Sequence, residues 1–142
     1  MQIRRLTVGE YEAITSLWKR ARLPFKPHGR DSRKSIAKEM ATEPEFFLGA
    51  YEQDQLIGVA IVSSDMRKGW INRLTVDPEH RSQGVARALI AEAERILKTR
   101  GVRVFCALIE ADNKSSKELF RKCGYTESRD IAYFSKRDDA EA

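Results

Sequence analysis

Two cysteines and two histidines are all that 142 residues supply of the common disulfide- and metal-forming side chains. Cys106 and Cys123 lack CxxC spacing and lie inside apolar periodic segments, so neither a disulfide framework nor a zinc site is expected. No apolar run approaches the roughly 20 residues that span a bilayer. Met1-Gln2-Ile3-Arg4-Arg5 lacks the apolar core of a signal peptide, and a cytoplasmic location is the default expectation. Repeats, low-complexity stretches and linkers are missing too. One domain over residues 1–137 is expected, followed by a short acidic tail at 138–142.

Charge is present in quantity but almost balanced, with 26 Lys+Arg against 21 Asp+Glu. The excess gathers in residues 19–38, where Lys19, Arg20, Arg22, Lys26, Arg30, Arg33, Lys34 and Lys38 face only Asp31. Such a segment can steer phosphates or an acidic acceptor, or it can be a pair of solvated helix faces. No recognition motif or aromatic interleaving supports a nucleic-acid partner.

The apolar pattern gives the elements. Ile3 and Leu6 mark a first strand, and Tyr11, Ile14, Leu17 and Trp18 recur at helical spacing. Pro24 and Pro27 break that helix, and Asp31 or Ser32 can cap a second one carrying Ile36, Ala37 and Met40. Residues 46–51 and 56–63 flank Gln53-Asp54-Gln55 as a β-hairpin. A third strand covers residues 70–76 and ends at Asp77-Pro78. Residues 84–100 are the clearest helix, with Val85, Ala86, Leu89, Ile90, Ala93, Ile96 and Leu97 on one stripe and Gly101 as terminator. Residues 102–109 read as a central strand, Asn113 caps a last helix carrying Leu119, Phe120 and Cys123, and residues 125–136 read as one or two final strands. The order β-α-α-β-β-β-α-β-α-β-β predicts an α/β protein with a mixed sheet and helices on both faces.

One segment suggests chemistry. Arg81-Ser82-Gln83-Gly84-Val85-Ala86 follows a strand and opens a helix, where unpaired N–H groups and the macrodipole favour an anion. Gly84 permits close backbone approach and Ala86 keeps the next position small, which suits a diphosphate. An ordinary strand–helix turn would also use a glycine here. The spacing is not GxGxxG and the preceding strands form a meander, which argues against a dinucleotide-binding fold.

Residues 71–90, containing Val76-Asp77-Pro78 and then Arg81-Ser82-Gln83-Gly84-Val85-Ala86, resemble motif A of the GNAT family of N-acetyltransferases, Arg/Gln-x-x-Gly-x-Gly/Ala. Residues 113–125, from Asn113-Lys114-Ser115-Ser116 to Lys122-Cys123-Gly124-Tyr125, are similar to its motif B, Asn-x-x-Ala/Ser-x-x-Leu-Tyr-x-Lys-x-Gly-Phe/Tyr. The element order agrees from Ile3 to Lys136, so the resemblance implies the acyl-CoA N-acyltransferase fold. It implies acetyl-CoA as cosubstrate, with its pyrophosphate on Arg81, Ser82, Gln83, Gly84, Val85 and Ala86, and Arg87 beside them. It also implies that pantetheine runs along Leu74, Thr75 and Val76 with Asn113 alongside, in the gap where two strands splay. The acceptor would be the amine of a small molecule or peptide, and a homodimer is a further expectation from the family.

The resemblance fails at one place. Motif B's tyrosine, the proton donor in many members, is Phe120 here. Tyr133, Tyr125 or a water could replace it, and each tyrosine could equally be a packing residue. Glu110, at the end of the central strand, is the candidate base, and Asn72 could hold a water or the acceptor. His28 lies in the loop where the acceptor wall is expected. An acyl-CoA-binding module with little or no catalysis is the alternative that Phe120 leaves open.

Overall fold

The order of the strands in space follows their order in sequence, with helices inserted between the first and second and between the fourth and fifth. The computed structural model describes all of residues 1–142. β1 (Gln2–Arg5), β2 (Phe47–Glu52), β3 (Gln55–Ser64), β4 (Gly69–Val76) and β5 (Phe105–Cys106) form one sheet in the order β1-β2-β3-β4-β5. The first four pair antiparallel and β5 joins β4 in parallel, giving the mixed sheet expected. The β2–β3 turn is two residues long, with Gln53 and Asp54 at φ of 48° and 66°. Two consecutive left-handed residues match the twist of a tight hairpin.

Helices cover both faces. α1 (Tyr11–Arg20) and α2 (Arg33–Thr42) precede the hairpin, and α3 (Val85–Thr99) and α4 (Lys114–Lys122) follow it. α3 buries Val85, Leu89, Ile90, Ala93, Ile96 and Leu97, the stripe that periodicity predicts. It sits so close to the sheet that a Cβ on Gly58 would stand 2.8 Å from Val85, and one on Gly69 would stand 2.5 Å from Leu97. Side chains alternate along a strand, so Ile57 and Val59, both fully buried, face the opposite side, where α1 packs on β3. Ser32, not Asp31, caps α2 by accepting from Ser35 N–H. Gly101, at φ 82°, ends α3 as expected.

The C-terminal third departs from expectation. The central strand expected over residues 102–109 shrinks to two residues, and no strand forms over 125–136. The first four strands and α3 build most of the core without them. The reason is pairing. β5 meets β4 only at Gly69↔Phe105 and Trp70↔Cys106, and a strand with no neighbour has nothing to hold its backbone. Ile131 and Phe134 are accordingly 72% and 89% exposed. The acidic tail folds back instead, with Lys26 Nζ donating to the carbonyl of Ala140 at 2.9 Å.

Candidate functional site

β4 and β5 part after Trp70, so no backbone hydrogen bond joins them beyond that point. The opening continues into a cleft of about 620 Å³ between the end of β4, the start of α3 and the start of α4. Leu74, Thr75 and Val76 form one wall, and Arg81, Ser82, Gly84, Val85, Ala86 and Arg87 form the floor. Asn113, Ser115 and Ser116 come from α4, and Ala21 and Leu23 from the α1–α2 loop. Of the cofactor-binding residues expected from sequence, only Gln83 lies outside the lining.

The floor is built by backbone geometry. Ser82 and Gly84 have φ of 62° and 81°, left-handed positions two residues apart. A turn that alternates in this way gathers N–H groups into an anion-binding concavity. The N–H groups of Gln83, Gly84, Val85, Ala86 and Arg87 donate to no acceptor within the protein, and the first bond of the helix runs from Ala88 to Gly84. A Cβ built on Gly84 would meet nothing within 4 Å, so the space above those amides is open. Arg81 and Arg87 are exposed beside them. Free donors, a helix N-terminus and two guanidinium groups fit a diphosphate.

Asp77 holds the turn leading into this floor. Its carboxylate accepts from Glu79 N–H at 3.0 Å and from Arg20 Nη2 at 2.9 Å. Burial alone would push its pKa up, but the Glu79 amide and the Arg20 guanidinium outweigh that and hold it below the usual value. His80, in the same turn, lines the cleft with its Nδ1 buried and unpartnered.

β4 carries a bulge at the cleft. Val59 pairs with Thr75 and Ile61 with Asn72, so Arg73 and Leu74 both oppose Ala60. Arg73 takes φ of 54°, and Thr75 Oγ1 closes the kink by donating to Arg73 O at 2.9 Å. A non-glycine residue held there stores about 1–3 kcal/mol, a cost found mostly at working sites. The bulge re-aims the strand edge next to the opening.

Asn113 caps α4, its Oδ1 accepting from Ser116 N–H at 3.1 Å, which leaves its side-chain amide free toward the cleft. The other expected site residues lie apart. Glu110 is exposed outside the lining, and its carbonyl accepts from Asn113 N–H at 3.0 Å. Asn72 lies two residues before Leu74 and donates to Ser63 Oγ at 3.0 Å. Tyr133 is 66% exposed in the irregular C-terminal segment and does not reach the cleft. A strand over 125–136 would be needed to carry it there, and none forms. Phe120 is buried against Tyr125, ring centroids 5.0 Å apart. The Tyr125 hydroxyl donates to Glu94 at 2.6 Å, and burial with that bond raises its pKa, so it keeps its proton. Sequence reasoning missed His80, Lys122 and the two serines of α4. Their place inside the two motif stretches, residues 71–90 and 113–125, was the available signal.

The Acetyltransferase (GNAT) family model matches residues 11–125. An acetyltransferase of Photorhabdus laumondii is 30% identical over 138 residues, covering 96% of this chain and 95% of its own. An aminoglycoside antibiotic 6'-N-acetyltransferase from Acinetobacter haemolyticus superposes with a TM-score of 0.70 at 26% identity, covering 98% of this chain and all (100%) of the other. PaiA N-acetyltransferase from Thermoplasma acidophilum, solved in complex with coenzyme A, gives a TM-score of 0.77 at 19% identity, covering 86% and 87%.

The mixed sheet, opened at β4 onto a helix floor of free amides, shares its overall fold with solved N-acetyltransferases. Within that class, the chain belongs to the GNAT acetyltransferase family. It is by that membership an acetyltransferase. No helix is long and apolar enough to cross a membrane.

Proposed function

We propose that this chain moves the acetyl group of acetyl-CoA to a primary amine of a small molecule or peptide, by direct attack of the amine. One observation carries the reading: four free amides, Gly84 to Arg87, and the open edge of β4 share a single cleft. Acetyl-CoA supplies the activated acetyl thioester. The amides of residues 83–87, with Arg81 and Arg87, bind its diphosphate. Leu74 and Val76 offer the free main-chain groups of β4 to the pantetheine arm, and Asn113 offers its side-chain amide. An N–H at Leu74 or Thr75, on the bulged edge, polarises the reacting carbonyl, as a preorganised donor does in acyl transfer.

Alignment of the two reactants can lower the barrier by about 7–11 kcal/mol in well-oriented systems. Proton transfer is the smaller part. Phe120 has no proton to give, and the hydroxyl of Tyr125 is held by Glu94. Asn72, in the middle of β4, and Glu110, four residues beyond β5, lie outside the cleft lining and are proposed to order the water that takes the amine proton. Residues 21–32, between α1 and α2, form the acceptor side, and their basic charge favours an acceptor with an acidic or phosphate group.

Gly84→Asp tests the placement. At φ 81° a side chain costs about 1–2 kcal/mol, but aspartate enters the left-handed region more readily than most residues and its charge suits a helix N-terminus, so the fold is expected to survive. A carboxylate over the free amides would repel a diphosphate, and affinity for coenzyme A is expected to fall at least about 100-fold, or about 2.7 kcal/mol. Unchanged affinity by calorimetry would sink the placement. An acetyl-CoA consumption screen over peptides, polyamines, amino acids and aminoglycosides then identifies the acceptor.

A further inference from the structure

We propose that Arg73 is a positioning residue that ties the acceptor-side loop to the cofactor-facing edge of β4, so that filling the cofactor cleft orders the loop. This rests on the acetyltransferase reading above. Two parts of one residue touch two parts of the site. Its backbone, at φ 54°, forms the bulge beside Leu74 and Thr75, which line the cleft. Its side chain crosses to the other side and holds the loop.

The hold is specific. Arg73 Nη1 donates to Pro24 O at 2.8 Å, and Nη2 stands 3.8 Å from Asp31 Oδ2. The guanidinium lies 4.4 Å over the ring of Trp18, which is fully buried at the end of α1. Asp31 is the loop's own organiser: its carboxylate accepts from Lys26 N–H at 2.8 Å and its carbonyl from the Tyr11 hydroxyl at 2.7 Å. The pair Arg73 and Asp31 therefore spans the loop from Pro24 to its far end. Leu23, next to Pro24, lines the same cleft as Leu74.

The clamp is also incomplete. Arg73 Nε and Nη2 and Trp18 Nε1 are buried with no hydrogen-bond acceptor. Burial pulls the pKa of Arg73 down, Asp31 opposes this, and Arg30 adds to it. Buried donors without acceptors weaken the closed arrangement. A loop held in this way opens at modest cost, and pressure on the bulge at Leu74 shifts its balance. A cofactor lying along β4 fixes the bulge, and with it the direction in which Arg73 leaves the strand.

Hydrogen exchange with coenzyme A as the probe tests this. Arg73→Gly keeps the left-handed backbone available and removes only the side chain. Arg73→Lys keeps the charge but loses the planar fork. In the native chain, coenzyme A is expected to slow exchange both at residues 82–88 and at residues 23–31. In Arg73→Gly, residues 23–31 should exchange about tenfold faster or more without ligand, and coenzyme A should protect only residues 82–88. Arg73→Lys should restore loop protection in part. Unaltered loop exchange in Arg73→Gly overturns the clamp, whether or not ligand binds. Full coenzyme A protection of the loop in Arg73→Gly overturns the coupling. No protection at 82–88 in any form would defeat the acetyltransferase reading instead, while the unliganded comparison still decides the clamp.

Discussion

Up to Leu97 the molecule is tightly packed, and beyond it hardly at all. Of its 26 buried apolar residues only Val102 and Phe120 lie past Leu97. The first region has four paired strands and α3 pressed against Gly58 and Gly69. The second has two residues of strand, one short helix and an exposed segment from 126 to 140. The cleft straddles both, with its floor of amides on the packed side and Asn113 on the loose side. Cofactor recognition therefore rests mostly on the rigid backbone of the packed side.

The contrast is sharpest for paired leucines. Leu97→Ala, at a fully buried site beneath Gly69, is expected to cost about 2–5 kcal/mol. Leu108→Ala, where the side chain is 60% exposed, should stay within about 0.5 kcal/mol. Urea unfolding of both variants checks this, and comparable losses would break the contrast.

Asp77 tests the packed side through pH. Asp77→Asn is expected to lose about 1–3 kcal/mol near neutral pH, because Arg20 and the Glu79 amide lose an ionised partner. The native carboxyl titrates below its unfolded value, so its contribution is present above about pH 4 and disappears as pH falls through the folded value. Unfolding curves for native and variant should converge in acid. A gap that persists there would mean that the ion pair is not its source.

Much of the packed side was legible in sequence because its signals are local. The stripe of α3, the glycine at 101 and the run from Arg81 to Ala86 each state their geometry within a few residues. The left-handed Ser82 and the bulge at Arg73 were not legible, since serine and arginine seldom adopt positive φ and only tertiary contacts hold them there. The loose side misled for the opposite reason. Residues 102–109 and 125–136 carry strand-like apolar residues, but pairing depends on a neighbour far away in sequence. For the same reason Tyr133 looked reachable and is not.

Two smaller effects refine the comparison. Tyr125→Phe removes the hydroxyl that links the end of α4 to Glu94 on α3. It should cost about 1 kcal/mol and weaken coenzyme A binding modestly, measurable by calorimetry. Tyr133→Phe should change neither stability nor kcat beyond about twofold, because its hydroxyl lies outside the cleft. Loss of a general acid would cost about 10²–10⁴-fold, so a drop of that size would return Tyr133 to the site and show that the two regions meet during turnover.

The parting of β4 from β5 has a consequence for handling the protein. Beyond Trp70 the outer edge of β4 carries backbone donors and acceptors with no strand beside them, and a bare sheet edge is sticky toward other chains. A ligand that runs along that edge shields it and also favours the folded state by mass action. Purification and storage with coenzyme A present should therefore suppress aggregation as well as raise the melting temperature. The cosubstrate would then serve the chain as a chaperone for its own active-site strand.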